Sequence, residues 1–189
     1  MKWKLRTSFP QDNQVNQLMK AIDVQYEIAY LLVSRGVKDY DSAKRYFRPS
    51  KDDLHDPFIM LDMIKAVERI HKAIHNQEKI MIFGDYDVDG ITAVTLVYSY
   101  LKDYLPIIYY LPDRYSEGYG VSKKSIDIAK KEKVSLIISL DCGINAIDNI
   151  SYAKKNKIDF IVCDHHIPGK KKPDAIAILN PKQTGCNYP

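Results

Sequence analysis

The chain has 189 residues, 46% of them hydrophobic and 28% charged, with a formal net charge of +4. That length holds one full domain, or one domain with a small helical appendage. The mild charge permits a nucleic-acid partner without implying one. The three cysteines, Cys142, Cys163 and Cys186, form no CxxC pair and are odd in number. This speaks against a disulfide scaffold or a structural zinc knot and for a reducing compartment. Met1 to Arg6 (MKWKLR) lacks the apolar core of a signal peptide, and no apolar run approaches the roughly 20 residues needed to cross a bilayer. A soluble cytoplasmic protein without membrane association is expected.

Residues 1–76 carry helical patterns and no strand-like runs. Asp23 is placed to cap a helix running to Arg35, with Gly36 as its stop. Asp41 is the expected cap of a short helix that Pro49 ends. Asp62 is the expected cap of a third, on which Ile64, Val67, Ile70 and Ile74 recur at spacings of three and four. Near residue 77 the texture changes. Lys79 to Phe83, Pro106 to Leu111, Val134 to Leu140, Phe160 to Cys163 and, more weakly, Ala175 to Leu179 read as buried strands. Residues 90–103, 122–132 and 146–156 read as the helices between them. Short apolar strands separated by helices predict βαβ units. The expectation is an α/β domain over 77–189, a Rossmann-like parallel sheet of about five strands flanked by helices, after a helical region over 1–76.

Ligands of an open parallel sheet bind beyond the carboxyl ends of its strands. The first strand is followed by Gly84-Asp85-Tyr86-Asp87-Val88-Asp89-Gly90, the third by Asp141-Cys142-Gly143, and the fourth by Asp164-His165-His166. Three strands therefore deliver carboxylates or imidazoles to one edge. Single aspartates after strands are commonly turn residues, but like charges at alternate positions repel unless a cation sits among them. Carboxylates with imidazoles suit Mn²⁺ or Mg²⁺, with zinc or iron possible. A set this large fits a pair of ions about 3.5–4 Å apart sharing a bridging Asp. Gly90-Ile91-Thr92 opens the next helix, which makes Thr92 a candidate phosphate contact.

Asp85, Asp87, Asp89 and Gly90 also match the start of an EF-hand loop, but its twelfth position is Leu96 rather than Glu. A phosphatase motif with an aspartate nucleophile stays open as an alternative, although Ile91 stands between Gly90 and Thr92. No P-loop, complete GxGxxG or GxSxG is present, so no nucleotide cofactor is expected. Lys170-Lys171-Lys172 is a candidate phosphate-backbone contact or a solvated loop. Tyr109, Tyr110, Tyr115 and Tyr119 are candidates for stacking on bases, though at least the first two fit a strand and its packing better.

The ordered set GDYDVDG, SLDCG (Ser139 to Gly143) and DHH (Asp164 to His166) resembles the DHH phosphoesterase superfamily and, within it, the RecJ-type branch of single-stranded-DNA-specific exonucleases. LLVSRGV (Leu31 to Val37), DRYSEGYG (Asp113 to Gly120) and ILNP (Ile178 to Pro181) resemble that branch too. The resemblance implies that Asp87 ligates one ion, Asp89 the other, and that Asp141 bridges them. His165 then ligates the second ion, His166 sits close to the scissile phosphate, and Asp164 fixes an imidazole by a hydrogen bond. Arg114 and the turn Gly118-Tyr119-Gly120 lie near the substrate path. Many members carry His where this chain has Phe83, and Asp85 takes over that ligand role. The implied activity is metal-dependent removal of mononucleotides from the 5′ end of single-stranded DNA, in repair and recombination. Helicase and single-strand-binding protein are the implied partners. Related alternatives are a phosphoesterase for short oligonucleotides or other small phosphates, and a binding module without catalysis. The family carries a fourth acidic motif and a C-terminal substrate-binding domain. Since the chain stops at Tyr188-Pro189, a fragment with weak or no activity of its own is expected.

Overall fold

The computed structural model describes residues 9–189; the MKWKLR segment considered for a signal peptide lies outside them. The chain divides into two compact units, Met1–His55 and Asp56–Pro189.

The first unit packs three helices, α1 (Asp12–Ile22), α2 (Tyr26–Ser34) and α3 (Tyr40–Phe47). Its core is Val15, Leu18, Ala29, Leu32, Val33, Val37 and Ala43. Helix α1 is absent from the sequence expectation, although Val15, Leu18, Met19 and Ile22 recur at helical spacing. Asp23 does not cap α2. It ends α1 in the left-handed conformation, φ 52°, which a short polar side chain tolerates, and Gln25 occupies the N-cap of α2. Gly36 does stop α2, at φ 87°. The cap of α3 is Asp39 rather than Asp41. Asp39 Oδ1 accepts the Ser42 N–H at 2.7 Å while Ser42 Oγ accepts the Asp39 N–H at 3.1 Å, a reciprocal capping box.

The second unit holds α4 (Met63–His75), β1 (Ile80–Gly84), α5 (Val88–Leu101), β2 (Ile107–Tyr110), α6 (Lys123–Lys131), β3 (Leu136–Leu140), α7 (Ile147–Lys155), β4 (Asp159–Cys163) and β5 (Ala177–Leu179). The five strands form one parallel sheet in the order β2-β1-β3-β4-β5, as expected. Strands begin where the texture changes, near residue 77, but this compact unit starts at Asp56 because α4 packs on the sheet. Alternate strand residues serve opposite faces. Met81, Phe83, Ile137, Phe160 and Val162 meet Ile126 and Ala129 of α6 and Ile150 and Ala153 of α7. Ile80, Ile82, Leu136, Ile138 and Ile161 meet α4 and α5 through Ala66, Ala73, Val94 and Leu101. Burial on both faces explains why these strands read as unbroken apolar runs.

On α4, Ile70 and Ile74 of the expected stripe pack partly buried against the core of the sheet, but a neighbouring line of residues turns fully inward. Its buried positions are Ala66, Arg69 and Ala73, whereas Ile64 is exposed. The alanines let the helix approach the sheet closely. Arg69 is admitted to that face because its Nε donates to Asp159 at 2.6 Å and its Nη2 to Glu78 at 2.7 Å. Asp62 occupies the N-cap position, but its carboxylate does not cap; it pairs with Lys65 and accepts the Ile178 N–H. No helix among the described residues is long and apolar enough to cross a membrane.

Candidate metal centre

The chain runs from β1 out to β2 on one side and then returns to β3 on the other side of β1. The carboxyl ends of β1 and β3 therefore flank the point where the strand order reverses, the place where open α/β sheets bind ligands. The register pairs Gly84 with Leu140 and Leu140 with Cys163. The residues that follow, Asp85, Asp141 and Asp164, thus leave three neighbouring strands at one level.

The β1 end is shaped by glycine. A Cβ on Gly90 would lie 2.4 Å from the Asp85 carbonyl oxygen and 2.5 Å from its nitrogen, and one on Gly84 would lie 2.3 Å from Val94 Cγ2. Only glycine lets the first turn of α5 close over the strand end. Asp87 caps α5, its Oδ1 accepting the Gly90 N–H at 2.9 Å. Asp89 is exposed in the first turn. Asp85 is fully buried; Oδ1 accepts the Tyr86 N–H at 2.8 Å, and Oδ2 has no hydrogen-bond partner among the described residues. Burial pushes its carboxyl above the ordinary carboxylate range, against the pull of the Tyr86 N–H, and the charges of Asp87 and Asp141 add to the rise.

At the end of β3, Asp141 adopts φ 60° while its N–H donates to the Cys163 carbonyl at 2.8 Å. Gly143 follows at φ 111°, where a Cβ would meet Ser139 Oγ at 2.7 Å. Burial raises the Asp141 carboxyl too, and Asp87 adds to this; His165 and His166 oppose it. At the end of β4, Asp164 gathers the loop around itself. Its Oδ1 accepts from the backbone N–H groups of His165 (2.7 Å) and His166 (3.0 Å) and lies 2.7 Å from His166 Nδ1, while Oδ2 accepts the Ile144 N–H at 2.9 Å. Burial alone would raise this carboxyl, but these donors hold it below the ordinary range. With Nδ1 of His166 engaged by Asp164, Nε2 is left facing the site.

The result is a tight group of ligand atoms. Asp141, His165 and His166 each place one within 4.8 Å of the others, with His165 Nε2 3.0 Å from Asp141 Oδ1. Asp85, Asp87 and Asp89 stand outside that group but act on the Asp141 charge. The donor set is oxygen and imidazole nitrogen. Cys142 is buried and its thiol strongly raised, first by burial, so it stays protonated. Paired, raised carboxyls and a buried orphan carboxylate oxygen are the state of an acidic cluster that a divalent cation would relieve. Carboxylate oxygens with imidazole nitrogens and no thiolate fit a divalent cation such as Mn²⁺.

Around this group the other candidates fall unevenly. Tyr119 donates its hydroxyl to the Asp141 carbonyl at 3.1 Å and stands 3.4 Å from His166 Nε2. Its ring meets Tyr86 edge-on, and the Arg114 guanidinium lies 5.4 Å from the Tyr86 ring centre. Gly118 and Gly120 flank Tyr119 at φ 76° and 81°. Thr92 is not gathered in; its hydroxyl donates back to the Val88 and Asp89 carbonyls. Lys172 is tethered to Gln183 and the Thr184 carbonyl, whereas Lys170 and Lys171 are exposed. Tyr109 packs edge-on against Tyr98 and Tyr110 stacks on Phe83, while Tyr115 is exposed. Sequence reasoning missed Asn180, whose buried amide donates to the His166 carbonyl at 2.9 Å, and Asn145, whose Oδ1 accepts the Gly169 N–H at 2.8 Å. Asn180 lies inside the ILNP segment; nothing local marks Asn145.

Residues 79–187 match the model of the DHH family, N-terminal domain. Over its whole length the chain is 40% identical to the single-stranded-DNA-specific exonuclease RecJ of Bacillus subtilis (strain 168), covering 24% of that protein. A crystal structure of exonuclease RecJ bound to manganese superposes with a TM-score of 0.64 at 27% identity, over 70% of this chain and 34% of that one. A crystal structure of RecJ from Thermus thermophilus in complex with Mn²⁺ gives a TM-score of 0.66 at 23% identity, over 96% of this chain and 25% of that one. The chain spans about a quarter of the length of the curated relative it matches over its whole length.

Proposed function

The chain belongs to the DHH family, and on that premise we propose that it carries the metal centre of a nuclease that hydrolyses phosphodiester bonds in single-stranded DNA. One observation carries the reading. Three neighbouring strand ends gather ligand atoms of Asp141, His165 and His166 within 4.8 Å of one another beside Asp85, whose buried Oδ2 lacks a hydrogen-bond partner among the described residues. Asp141 and His165 would hold Mn²⁺ or Mg²⁺, with Asp85, Asp87 and Asp89 completing the shells of two ions. Such ions activate a water and neutralise charge on the phosphoryl group.

The chain's own side chains do the positioning. Asp164 fixes the His166 ring and holds the DHH loop, leaving Nε2 directed at the reacting phosphate. The first turn of α5 brings Asp89 to the same edge, and Arg114 supplies a fixed positive charge beside Tyr86 for the strand's phosphates. Stepwise release of mononucleotides from a 5′ end, in DNA repair and recombination, is the activity proposed. A helicase and a single-strand-binding protein are the proposed partners, and the cytoplasm the proposed compartment.

The test has two arms. Mn²⁺ titrated into this chain should give a saturable heat by calorimetry that Asp141→Asn removes. This segment, within a protein of its relatives' length, should convert 5′-labelled single-stranded DNA to labelled mononucleotide with Mn²⁺, and Asp89→Ala should stop it. Undiminished hydrolysis by Asp89→Ala sinks the assignment.

A further inference from the structure

The segment between β2 and α6 carries both Arg114 and Tyr119, yet it contains no helix or strand. Left-handed Gly118 and Gly120 surround Tyr119, and a Cβ on either would meet nothing within 4 Å. Packing at those glycines therefore does not fix the loop. One buried carboxylate inside the segment gathers its two ends. Glu117 has a side chain only 4% exposed. Its Oε1 accepts from the Tyr110 hydroxyl (2.7 Å), the Asp113 N–H (3.2 Å) and Lys124 Nζ (3.2 Å), and its Oε2 accepts from Ser122 Oγ (2.9 Å). These donors come from β2, from both ends of the loop and from α6. Ser122 in turn caps α6, accepting the Ser125 N–H. Tyr110 is anchored in the core by its stack on Phe83.

We infer that Glu117 is the positioning residue of this site: it holds the loop so that Tyr119 rests on Asp141 and His166 and Arg114 stands over Tyr86. It touches no metal ligand itself. It acts through Tyr119, whose ring centre is 5.9 Å from that of His166. The inference rests on the proposed function only in naming single-stranded DNA as what the loop meets; the placement of Tyr119 is independent of it. Burial would raise the Glu117 carboxyl, but the Tyr110 hydroxyl and the other donors hold it below its ordinary value of 4.5, so the acceptor is ionised at neutral pH.

Three measurements on the whole chain test this. In the metal-free protein, the magnetisation transfer by NMR between the Tyr119 and His166 rings should be present and should vanish in Glu117→Gln. Binding of a short single-stranded oligothymidine with Mn²⁺ should weaken about tenfold in Glu117→Gln and equally in Tyr119→Ala, and the double variant should be no weaker than Tyr119→Ala alone. Mn²⁺ affinity should stay unchanged in Glu117→Gln, which a general loss of structure would not permit. If Glu117→Gln does not fold, Tyr110→Phe removes one donor and should weaken the same ring contact. A surviving Tyr119–His166 contact in the variants, or additive losses in the double variant, overturns the inference. If the unmodified chain does not bind the oligonucleotide while the ring contact behaves as expected, Glu117 keeps its role and the proposed substrate is what fails.

Discussion

Asp85→Asn should make the metal-free chain more stable and the metal-loaded chain relatively less so. Asp85 is fully buried, its Oδ2 has no hydrogen-bond partner among the described residues, and Asp87 and Asp141 raise its carboxyl further after burial itself. An unsatisfied buried acceptor costs about 1–3 kcal/mol, more when charged. Asparagine keeps the shape and the acceptor for the Tyr86 N–H and removes the charge, but it leaves one amide donor unmet. The net gain at neutral pH is therefore about 1–2 kcal/mol, or about 3–6 °C in Tm for a chain of this size.

The pH dependence fixes the sign. A carboxyl raised in the folded state binds its proton more readily there than in the unfolded chain. The contribution of Asp85 to stability is then fully present below the ordinary value of 3.8 and is lost as pH rises through the raised folded value. The advantage of Asp85→Asn should be largest at neutral pH and fade toward pH 3.8. Saturating Mn²⁺ should reverse the order, since metal at a hundredfold over its Kd stabilises the wild type by about 2.7 kcal/mol and a chain lacking a ligand by less. Thermal melts by circular dichroism, with and without Mn²⁺, decide. A variant that melts at or below the wild type at pH 7 without metal, or gains as much from Mn²⁺, refutes the reasoning.

Asp164→Asn removes the anionic acceptor that gathers His165, His166 and Ile144, so Mn²⁺ affinity should fall about 10–100-fold, read by calorimetry. Since the Asp164 carboxyl is held below its ordinary value of 3.8, its stabilisation is present above that pH and lost on further acidification; the variant should melt less steeply with falling pH. Arg69→Ala strands Glu78 and Asp159 at the other end of the sheet. Discounted for the half-open Asp159, the loss should be about 2–3 kcal/mol by urea denaturation, with Mn²⁺ affinity unchanged. Gly90→Ala drives a methyl into the Asp85 backbone and should destabilise by about 3 kcal/mol while also weakening Mn²⁺ binding.

The sheet was legible because parallel strands buried on both faces leave unbroken apolar runs, and the candidate site because its residues sit directly after those runs. Caps were less legible. Whether Asp39 or Asp41 begins α3 depends on which backbone is extended, and both carry the same side chain. On α4 the isoleucines marked only the flank of the inward face, since Ile70 and Ile74 pack against the core but its centre includes Arg69, a residue whose burial depends on partners 9 and 90 positions away. Glu117 lies inside the DRYSEGYG segment, but its contacts were not legible for the same reason. Its donors are ordinary residues until β2, the loop and α6 converge on it.

The two edges of the sheet divide the electrostatics between them. At the amino edge every carboxylate named here has a cation or hydroxyl against it: Glu78 takes Arg69 and Ser135, Asp159 takes Arg69, and Glu132 takes Lys79 at 2.6 Å. At the carboxyl edge burial and neighbouring carboxylates raise both Asp85 and Asp141, and His165 and His166 oppose this at Asp141. There the glycine-tight junction of β1 with α5 holds Asp85 against the first turn of that helix. A consequence separates this arrangement from a loose acidic patch: neutralising Asp85 should relieve the carboxyl edge without disturbing the amino edge. The effects of Asp85→Asn and Arg69→Ala on stability should therefore add, because the groups share no partner.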